Sequence, residues 1–184
     1  MDATFHIQTY GCQMNERDSE IMAGLLTRRG LAPAASLEEA GIALINTCHI
    51  REHAEQRALS LLGRMKPWRE ARPDRVLALT GCVAEAQGRR LLARFPYVDL
   101  VLGPARVAEL PGLVERVRDG HGPQLAVGVA GAADVPELMG EHPRGHRAWV
   151  KIMEGCNHRC TFCVVPAVRG LERSRAFDEI VAEA

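Results

Sequence analysis

Short apolar runs alternate with longer amphipathic stretches along the first 120 residues of the chain. Most of the runs lack polar interruptions, as strands buried on both faces of a sheet do, and the stretches repeat apolar residues at helical spacing. Strands are predicted over Ala3–Tyr10, Gly41–Thr47, Arg75–Thr80 and Val98–Leu102. Regular alternation of strand and helix predicts βαβ units, and therefore an α/β fold with a parallel sheet and helices on both faces.

The helices that follow these strands are predicted from their apolar spacing and from the residues at their ends. Asn15 is expected to cap the first helix, and Gly30 to stop it. Pro67 is expected to end the second helix, because its ring and missing N–H interrupt a helix interior. The four helices are placed at about Asn15–Arg29, Ile50–Met65, Val83–Phe95 and Val107–Arg118.

The chain changes character after residue 120, where Gly and Pro become frequent up to residue 145. This composition indicates a linker or a surface excursion, with a short strand at Leu125–Val129. A new strand is predicted at Ala148–Met153, and a helix begins at Ala176. We therefore expect an N-terminal domain over residues 1–120, a linker over 121–145, and the start of a second domain over 146–184.

The overall composition is ordinary for a globular protein, with 47% apolar and 25% charged residues. Lys+Arg and Asp+Glu number 23 each, so the net charge does not indicate a stand-alone nucleic-acid binder. No basic stretch precedes an apolar run at the N-terminus, and no apolar segment reaches the ~18 residues that span a bilayer. A cytoplasmic protein is therefore expected, in which six cysteines are metal ligands or redox groups rather than disulfides.

Three of the cysteines, Cys12, Cys48 and Cys82, follow the first three predicted strands and are called the first triple. Parallel neighbouring strands bring such loops together at the carboxyl edge of the sheet, where open α/β sheets bind ligands. Helix N-termini after these loops favour thiolates and a negatively charged ligand. An iron–sulfur cluster, a zinc ion with a fourth ligand and three buried free thiols remain open, and the clustering of three cysteines favours a metal.

The other three cysteines, Cys156, Cys160 and Cys163, form a C-x3-C-x2-C motif and are called the second triple. Three thiolates satisfy three irons of a [4Fe–4S] cluster and leave the fourth iron open to a small molecule. A zinc knuckle with His158 as its fourth ligand is the alternative, which the short loop disfavours. Phe162, directly before the last cysteine, fits the shielding of a cluster.

The second motif and its surroundings resemble the radical S-adenosylmethionine (SAM) methylthiotransferase family. The segments that carry the resemblance are Glu154–Asn157, Cys160–Pro166, Arg169–Gly170, Glu172–Arg175, Tyr10–Asn15, Asn46–Glu52 and Gly81–Glu85. Gln13-Met14-Asn15 favours the branch of the family that modifies tRNA, because the branch that modifies a ribosomal-protein aspartate usually has Pro-Lys-Asn there. One departure is Ala167, where family members usually have a tyrosine, although the following Arg169 is in place.

The resemblance implies a flavodoxin-like N-terminal domain whose first triple carries an auxiliary [4Fe–4S] cluster. It implies a second [4Fe–4S] cluster on the second triple, which binds SAM and cleaves it to a 5'-deoxyadenosyl radical. That radical abstracts a hydrogen from C2 of an N6-isopentenyl adenosine beside the tRNA anticodon. The auxiliary cluster then delivers a methylated sulfur, with a second SAM as methyl donor, so the cofactors perform the difficult chemistry.

The resemblance also implies partners: the anticodon stem-loop of tRNA and an external electron donor such as a flavodoxin or ferredoxin, acting on a monomer. In this family most of a radical SAM barrel and an RNA-binding TRAM domain follow the position of Ala184. The chain is therefore expected to hold the first strand, the cluster loop and the start of the first helix of a truncated barrel, and not to turn over alone. The protein-modifying branch and a non-catalytic iron–sulfur or zinc-binding fragment are the alternative functions.

Overall fold

A six-stranded, wholly parallel sheet forms the centre of the molecule in the computed structural model, which describes residues 4–129 and 148–184. The strands are β1 (Thr4–Tyr10), β2 (Ala32–Pro33), β3 (Ile42–Thr47), β4 (Val76–Gly81), β5 (Leu100–Leu102) and β6 (Gln124–Ala126). Their order is β2-β1-β3-β4-β5-β6. The first five follow the flavodoxin-like order, so the predicted α/β fold class is confirmed.

Helices cover both faces of this sheet. They are α1 (Gln13–Arg28), α2 (Glu52–Arg64), α3 (Lys66–Glu70), α4 (Cys82–Gln87), α5 (Arg89–Arg94) and α6 (Leu110–Arg118), with a 3₁₀ helix at Pro104–Glu109 before α6. The apolar sides of α1 and α6 pack on one face, and those of α2, α4 and α5 pack on the other. Both faces of the central strands are therefore buried.

The strand β3 shows why these runs are apolar without interruption. Ile42 and Leu44 belong to the core under α1 and α6, while Ala43 and Ile45 belong to the core under α2, α4 and α5. All four side chains are 0% exposed. Because successive side chains of a strand point to opposite faces, a strand covered on both faces requires apolar residues at every position.

Two predicted helix boundaries and the role given to Pro67 are wrong, each for a local reason, whereas α2 ends at Arg64, close to the predicted Met65. Cys12 rather than Asn15 is the N-cap of α1, and Asn15 sits three residues into the helix, where its side-chain oxygen accepts the Cys12 N–H at 3.3 Å. Pro67 does not end the helical region, since it lies in the first turn of α3, where its missing N–H costs nothing. Gly88 adopts a φ of +45° and divides the predicted Val83–Phe95 helix into α4 and α5.

The segment 148–184 forms a small unit of its own. It contains β7 (Met153–Glu154), β8 (Arg173–Ser174), α7 (Val165–Arg169) and α8 (Phe177–Glu183), and β7 pairs with β8 in antiparallel fashion. The predicted strand Ala148–Met153 is wrong in extent, because β8, with which β7 pairs in the described part of the chain, offers two residues for pairing. The helix predicted from Ala176 is confirmed, with Ala176 as its N-cap. Its identity as the start of a barrel stays a prediction.

A short strand is present where one was predicted at Leu125–Val129, but it spans Gln124–Ala126; this strand, β6, pairs with β5 and extends the sheet into the range predicted as linker. Residues 130–145 of that predicted linker, together with the next two residues, lie outside the described residues. Among the helices of the described ranges, none is both long and apolar enough to cross a membrane.

Candidate functional site

The ends of three neighbouring strands bring the first triple to one edge of the sheet. In the register, Tyr10 of β1 stands beside Thr47 of β3, and Thr47 stands beside Gly81 of β4. The strands therefore end level with one another, and the N–H of Cys48 continues the ladder by donating to the Tyr10 carbonyl at 2.9 Å. Cys48 and Cys82 directly follow the ends of β3 and β4, and Cys12 follows the end of β1 after one residue. The first triple therefore lies on neighbouring loops.

The three thiols of the first triple are free and sheltered to different degrees. Cys48 is 1% exposed and Cys82 is 3% exposed, whereas Cys12 is half-buried. Cys12 sits at the N-terminus of the sixteen-residue helix α1, where the helix dipole favours a thiolate. The sulfur of Cys48 accepts the N–H of Ile50 at 3.3 Å.

Three free thiols at one sheet edge are a donor set suited to an iron–sulfur cluster or to zinc. As the side chains stand, residues 4–129 and 148–184 contain no group of three or more His, Cys, Asp or Glu placed to hold a metal ion. The first triple fits a cluster by donor type and by its place on the sheet, but its three side chains are not placed to hold a metal ion together. Its role as a ligand set stays a prediction.

A buried polar network fixes the loops that carry Cys12 and Cys48. Asn46 is 0% exposed, and its side-chain amide donates to the Asn15 carbonyl at 2.8 Å and to the Ser19 hydroxyl at 2.9 Å. In return the Asn15 side chain donates to the Asn46 side-chain oxygen and to the carbonyl that precedes Cys48, both at 3.3 Å. The sequence signal for this network is a polar residue that ends an otherwise apolar strand.

A cleft of about 380 Å³ opens beside the loop that carries Cys12. Arg51 spans its rim and donates to the Gly11 carbonyl at 3.1 Å, and the Arg57 guanidinium lies 4.7 Å from the centre of the Tyr10 ring. Within the described part of the chain, neither guanidinium forms an ion pair with a carboxylate. The two arginines give this cleft a positive wall, and the Glu16 carboxylate also lines it.

The second triple lies on a loop that is more open to solvent. The Cys156 N–H donates to the Gly170 carbonyl and the Cys163 N–H donates to the Cys160 carbonyl, both at 3.1 Å. Cys160 is exposed and the other two cysteines are half-buried. The predicted shielding residue Phe162 is 91% exposed, so its role as a shield stays a prediction.

The N-terminal turns of α1 hold the segment 148–184 through three consecutive residues. The Trp149 indole N–H donates to the Glu16 carboxylate at 2.6 Å, so the contact begins just before β7. The other two pairs are Arg17 with Glu183, 2.5 Å apart, and Asp18 with Arg169, 2.7 Å apart. The helix that starts at Cys12 is therefore also the platform on which the second segment docks.

Arg169 is the centre of this contact, with a side chain only 7% exposed. Its Nη2 lies 2.7 Å from Asp18 Oδ2, and its Nη1 donates to Glu154 Oε1 at 3.0 Å. Burial lowers the pKa of Arg169, but Asp18, the Cys82 thiol and Glu154 together raise the pKa well above its usual value. The guanidinium is therefore charged, and it faces two carboxylates and one cysteine of the first triple.

The same contact acts on Cys82 and Glu154. Burial raises the pKa of the Cys82 thiol above its usual value, while the charge and hydrogen bonding of Arg169 oppose that rise. Burial likewise raises the pKa of Glu154, but Lys151 and Arg169 outweigh it and hold the pKa below its usual range. This cluster was not predicted from the sequence, because the residues around each of its members do not indicate a partner in a distant segment.

Comparison with known proteins agrees with the geometry. The sequence model of Uncharacterized protein family UPF0004 matches residues 4–103, which include the whole first triple. A protein of Moorella thermoacetica is 44% identical over 182 residues, which cover 98% of this chain and 41% of the relative. A protein of Anaeromyxobacter sp. strain K is 46% identical over 179 residues, which cover 97% of this chain and 38% of the relative.

Both of these relatives are named tRNA-2-methylthio-N(6)-dimethylallyladenosine synthase, as is a protein of Haemophilus ducreyi that is 42% identical over 98% of this chain and 38% of its own length. The chain thus spans about two fifths of the length of the curated relatives it matches. The predicted resemblance to tRNA-modifying methylthiotransferases is confirmed over this part. The chain therefore belongs to protein family UPF0004, and over nearly its whole length it is similar to part of these synthases.

Proposed function

We propose that the chain supplies the two cysteine sites of a radical SAM methylthiotransferase that adds a methylthio group to C2 of the N6-isopentenyl adenosine beside the tRNA anticodon. The observation that carries this proposal is the meeting of three free thiols at one sheet edge, with the second-triple segment docked beside them through Arg169. Similarity to synthases named for this tRNA product supports the choice of substrate.

In this proposal each triple holds one [4Fe–4S] cluster, and the second triple leaves one iron for SAM. When bound, the clusters supply electron transfer, SAM cleavage and sulfur delivery. The protein's own part is to hold thiolates and to orient them. The polar network of Asn15 and Asn46 aligns the loops of Cys12 and Cys48, and the docking of α1 on the second segment sets where the two triples lie.

The remaining partners follow from this chemistry. Reductive cleavage of SAM requires an electron from outside the chain, for which a flavodoxin or ferredoxin is suited. The protein works as a monomer in the cytoplasm, where reducing conditions keep cysteine thiols available as cluster ligands.

Deleting the gene is expected to remove 2-methylthio groups from the N6-isopentenyl adenosine of cellular tRNA, because the first triple and the second triple are both required for sulfur insertion. Mass spectrometry of nucleosides from total tRNA measures this loss, and reintroduction of the unaltered gene serves as the control. Unchanged 2-methylthio levels together with a lost modification of a ribosomal-protein aspartate would instead establish the protein-modifying branch.

The positive wall of the cleft is expected to bind phosphates of the tRNA. Changing Arg51 and Arg57 to Gln together should weaken binding of an anticodon stem-loop RNA and lower the salt dependence of binding by about one unit of slope for each lost phosphate contact. Fluorescence anisotropy at several salt concentrations measures both quantities.

The matched control for this experiment changes two other exposed arginines, Arg28 and Arg64, to Gln. These residues end α1 and α2, away from the carboxyl edge of the sheet, and their loss lowers the net charge by the same amount. If both pairs of substitutions weaken RNA binding equally, the cleft has no special role and only the overall charge matters.

A further inference from the structure

A charged side chain of the second-triple segment reaches into the site of the first triple. Arg169 ends α7, and α7 packs against α4, whose first residue is Cys82. The guanidinium, 7% exposed, contacts Asp18 on α1 and Glu154 on β7, and the packing of α7 against α4 brings Arg169 close to the loop of Cys82. The charged group is therefore held by two separate elements, next to a third, and is shielded from solvent.

The two carboxylates explain why this charge is held in place. Asp18 is 4% exposed, and the side chain of Glu154 is 9% exposed, so neither carboxylate can rely on water for its solvation. A buried ion pair is stable only when its charges stay paired, and it breaks at a large cost when one partner is removed. Glu154 also pairs with Lys151 at 3.2 Å, so Asp18 is the carboxylate that would lose its partner if Arg169 moved away, and the cost of that loss fixes the guanidinium in place.

We propose that Arg169 is a positioning residue of the first triple: it delivers a fixed positive charge from the second segment to Cys82 and thereby sets the reduction potential of the cluster that the first triple holds. This inference rests on the proposed function, since it requires a cluster at that site. It also assigns one essential group of the site to residue 169, beyond the residues 4–103 that the family model matches.

The sign of the effect follows from electrostatics. A cluster gains a negative charge on reduction, so a nearby positive charge favours the reduced form and a nearby negative charge disfavours it. Because the site is shielded from water, these charges act more strongly than they would at the surface. Arg169 should therefore raise the reduction potential, and Asp18, which faces Cys82 with the opposite charge, should lower it.

The experiment uses the whole chain with the second triple changed to Ala, so that only the first triple can load. This reference protein and its variants are reconstituted anaerobically with iron and sulfide, without SAM or RNA. The variants are Arg169→Gln, Arg169→Lys, Asp18→Asn and Asp18→Asn/Arg169→Gln. Iron content measures loading, electron paramagnetic resonance during a redox titration measures the potential, and circular dichroism measures folding.

We expect the potential to fall in Arg169→Gln, to rise in Asp18→Asn and to stay near the reference in Arg169→Lys. Opposite shifts for the two substitutions are the result that a direct effect of charge predicts, whereas a loss of iron loading or of the circular dichroism signal would indicate a structural effect. Arg169→Gln alone could fail to fold, because it leaves the Asp18 carboxylate buried without its partner. In that case the potentials of Asp18→Asn, Arg169→Lys and the double variant, which removes the carboxylate together with the guanidinium, test the inference.

Arg175→Gln is the matched control, because Arg175 also pairs with a buried carboxylate of the second segment, Glu183, and holds the Lys151 carbonyl at 2.8 Å. Its loss should disturb the second segment and leave the potential unchanged. Normal iron loading with an unshifted potential in Arg169→Gln and Asp18→Asn, or shifts of the same sign, overturns the inference. A reference protein that binds no iron overturns the proposed function, and the inference with it.

Discussion

Changing Cys82 to Ala is expected to reduce the iron bound by the anaerobically reconstituted chain from about eight atoms to about four. Cys82 is 3% exposed, so no solvent-exposed group can take over its place as a ligand. With two thiols left, the first triple no longer holds three irons of a cluster. The second triple, on a separate loop, should load normally.

The matched substitution is Cys160→Ala, which removes one ligand from the second triple. It should also leave about four iron atoms per chain, held in this case by the first triple. The double variant should bind almost none. Electron paramagnetic resonance of the reduced proteins distinguishes the two half-loaded forms, since only the form that keeps the second triple should change its spectrum when SAM is added.

Two results would contradict this expectation. Zinc bound at about one atom per chain, with little iron, would make the first triple a zinc site of three thiolates and a fourth ligand. Loss of all iron in Cys82→Ala would mean that the two sites do not load independently. The second result would then direct attention to the contact between α1 and the segment 148–184.

The sheet could be predicted from the sequence because its central strands carry a strong signal. Ile42–Ile45 must be apolar at every position, since both faces are covered. The strand β2 could not be predicted, because Ala32–Pro33 is a two-residue edge strand whose residues are exposed. The break at Gly88 could not be predicted either. A glycine within a helical pattern can continue the helix or adopt a positive φ, and the sequence alone does not distinguish the two.

The part of the candidate site that depends only on the order and direction of the strands could be predicted from the sequence. Once the strands are parallel neighbours, residues that directly follow them must lie on one edge, and this places the first triple together. The contact of Arg169 with Asp18 and Glu154 could not be predicted, because the three residues lie on three different elements, α7, α1 and β7. A charged residue in a sequence usually lies on a solvated surface, so its burial becomes visible only in the folded chain.

Changing Gly81 to Ala is expected to destabilise the protein strongly, because this residue immediately before Cys82 tolerates no side chain. Gly81 has a φ of 89° and a ψ of −160°, a backbone conformation that is essentially restricted to glycine. An added Cβ would lie 2.4 Å from the Asn46 side-chain oxygen and 2.5 Å from the Thr47 carbonyl. The second of these atoms is backbone, so the clash can be relieved only by moving a strand end.

The backbone strain costs about 1–3 kcal/mol and the overpacking about 1–3 kcal/mol more, so we expect a loss of roughly 2–6 kcal/mol. That is a large share of the ~5–15 kcal/mol that stabilises an ordinary domain. Urea unfolding followed by far-ultraviolet circular dichroism measures the loss. Since the displaced strand end leads directly into Cys48, the variant should also load less iron at the first triple.

Gly24→Ala is the control, because Gly24 lies within α1 and a Cβ there meets no atom within 4 Å. This substitution should stabilise the protein by about 0.5–1 kcal/mol through helix propensity. If Gly81→Ala unfolds at the same urea concentration as the parent, the ends of β3 and β4 are not packed as described. If it loses stability but loads iron normally, the close approach of these strands serves the fold alone, and the spacing of Cys48 and Cys82 tolerates movement.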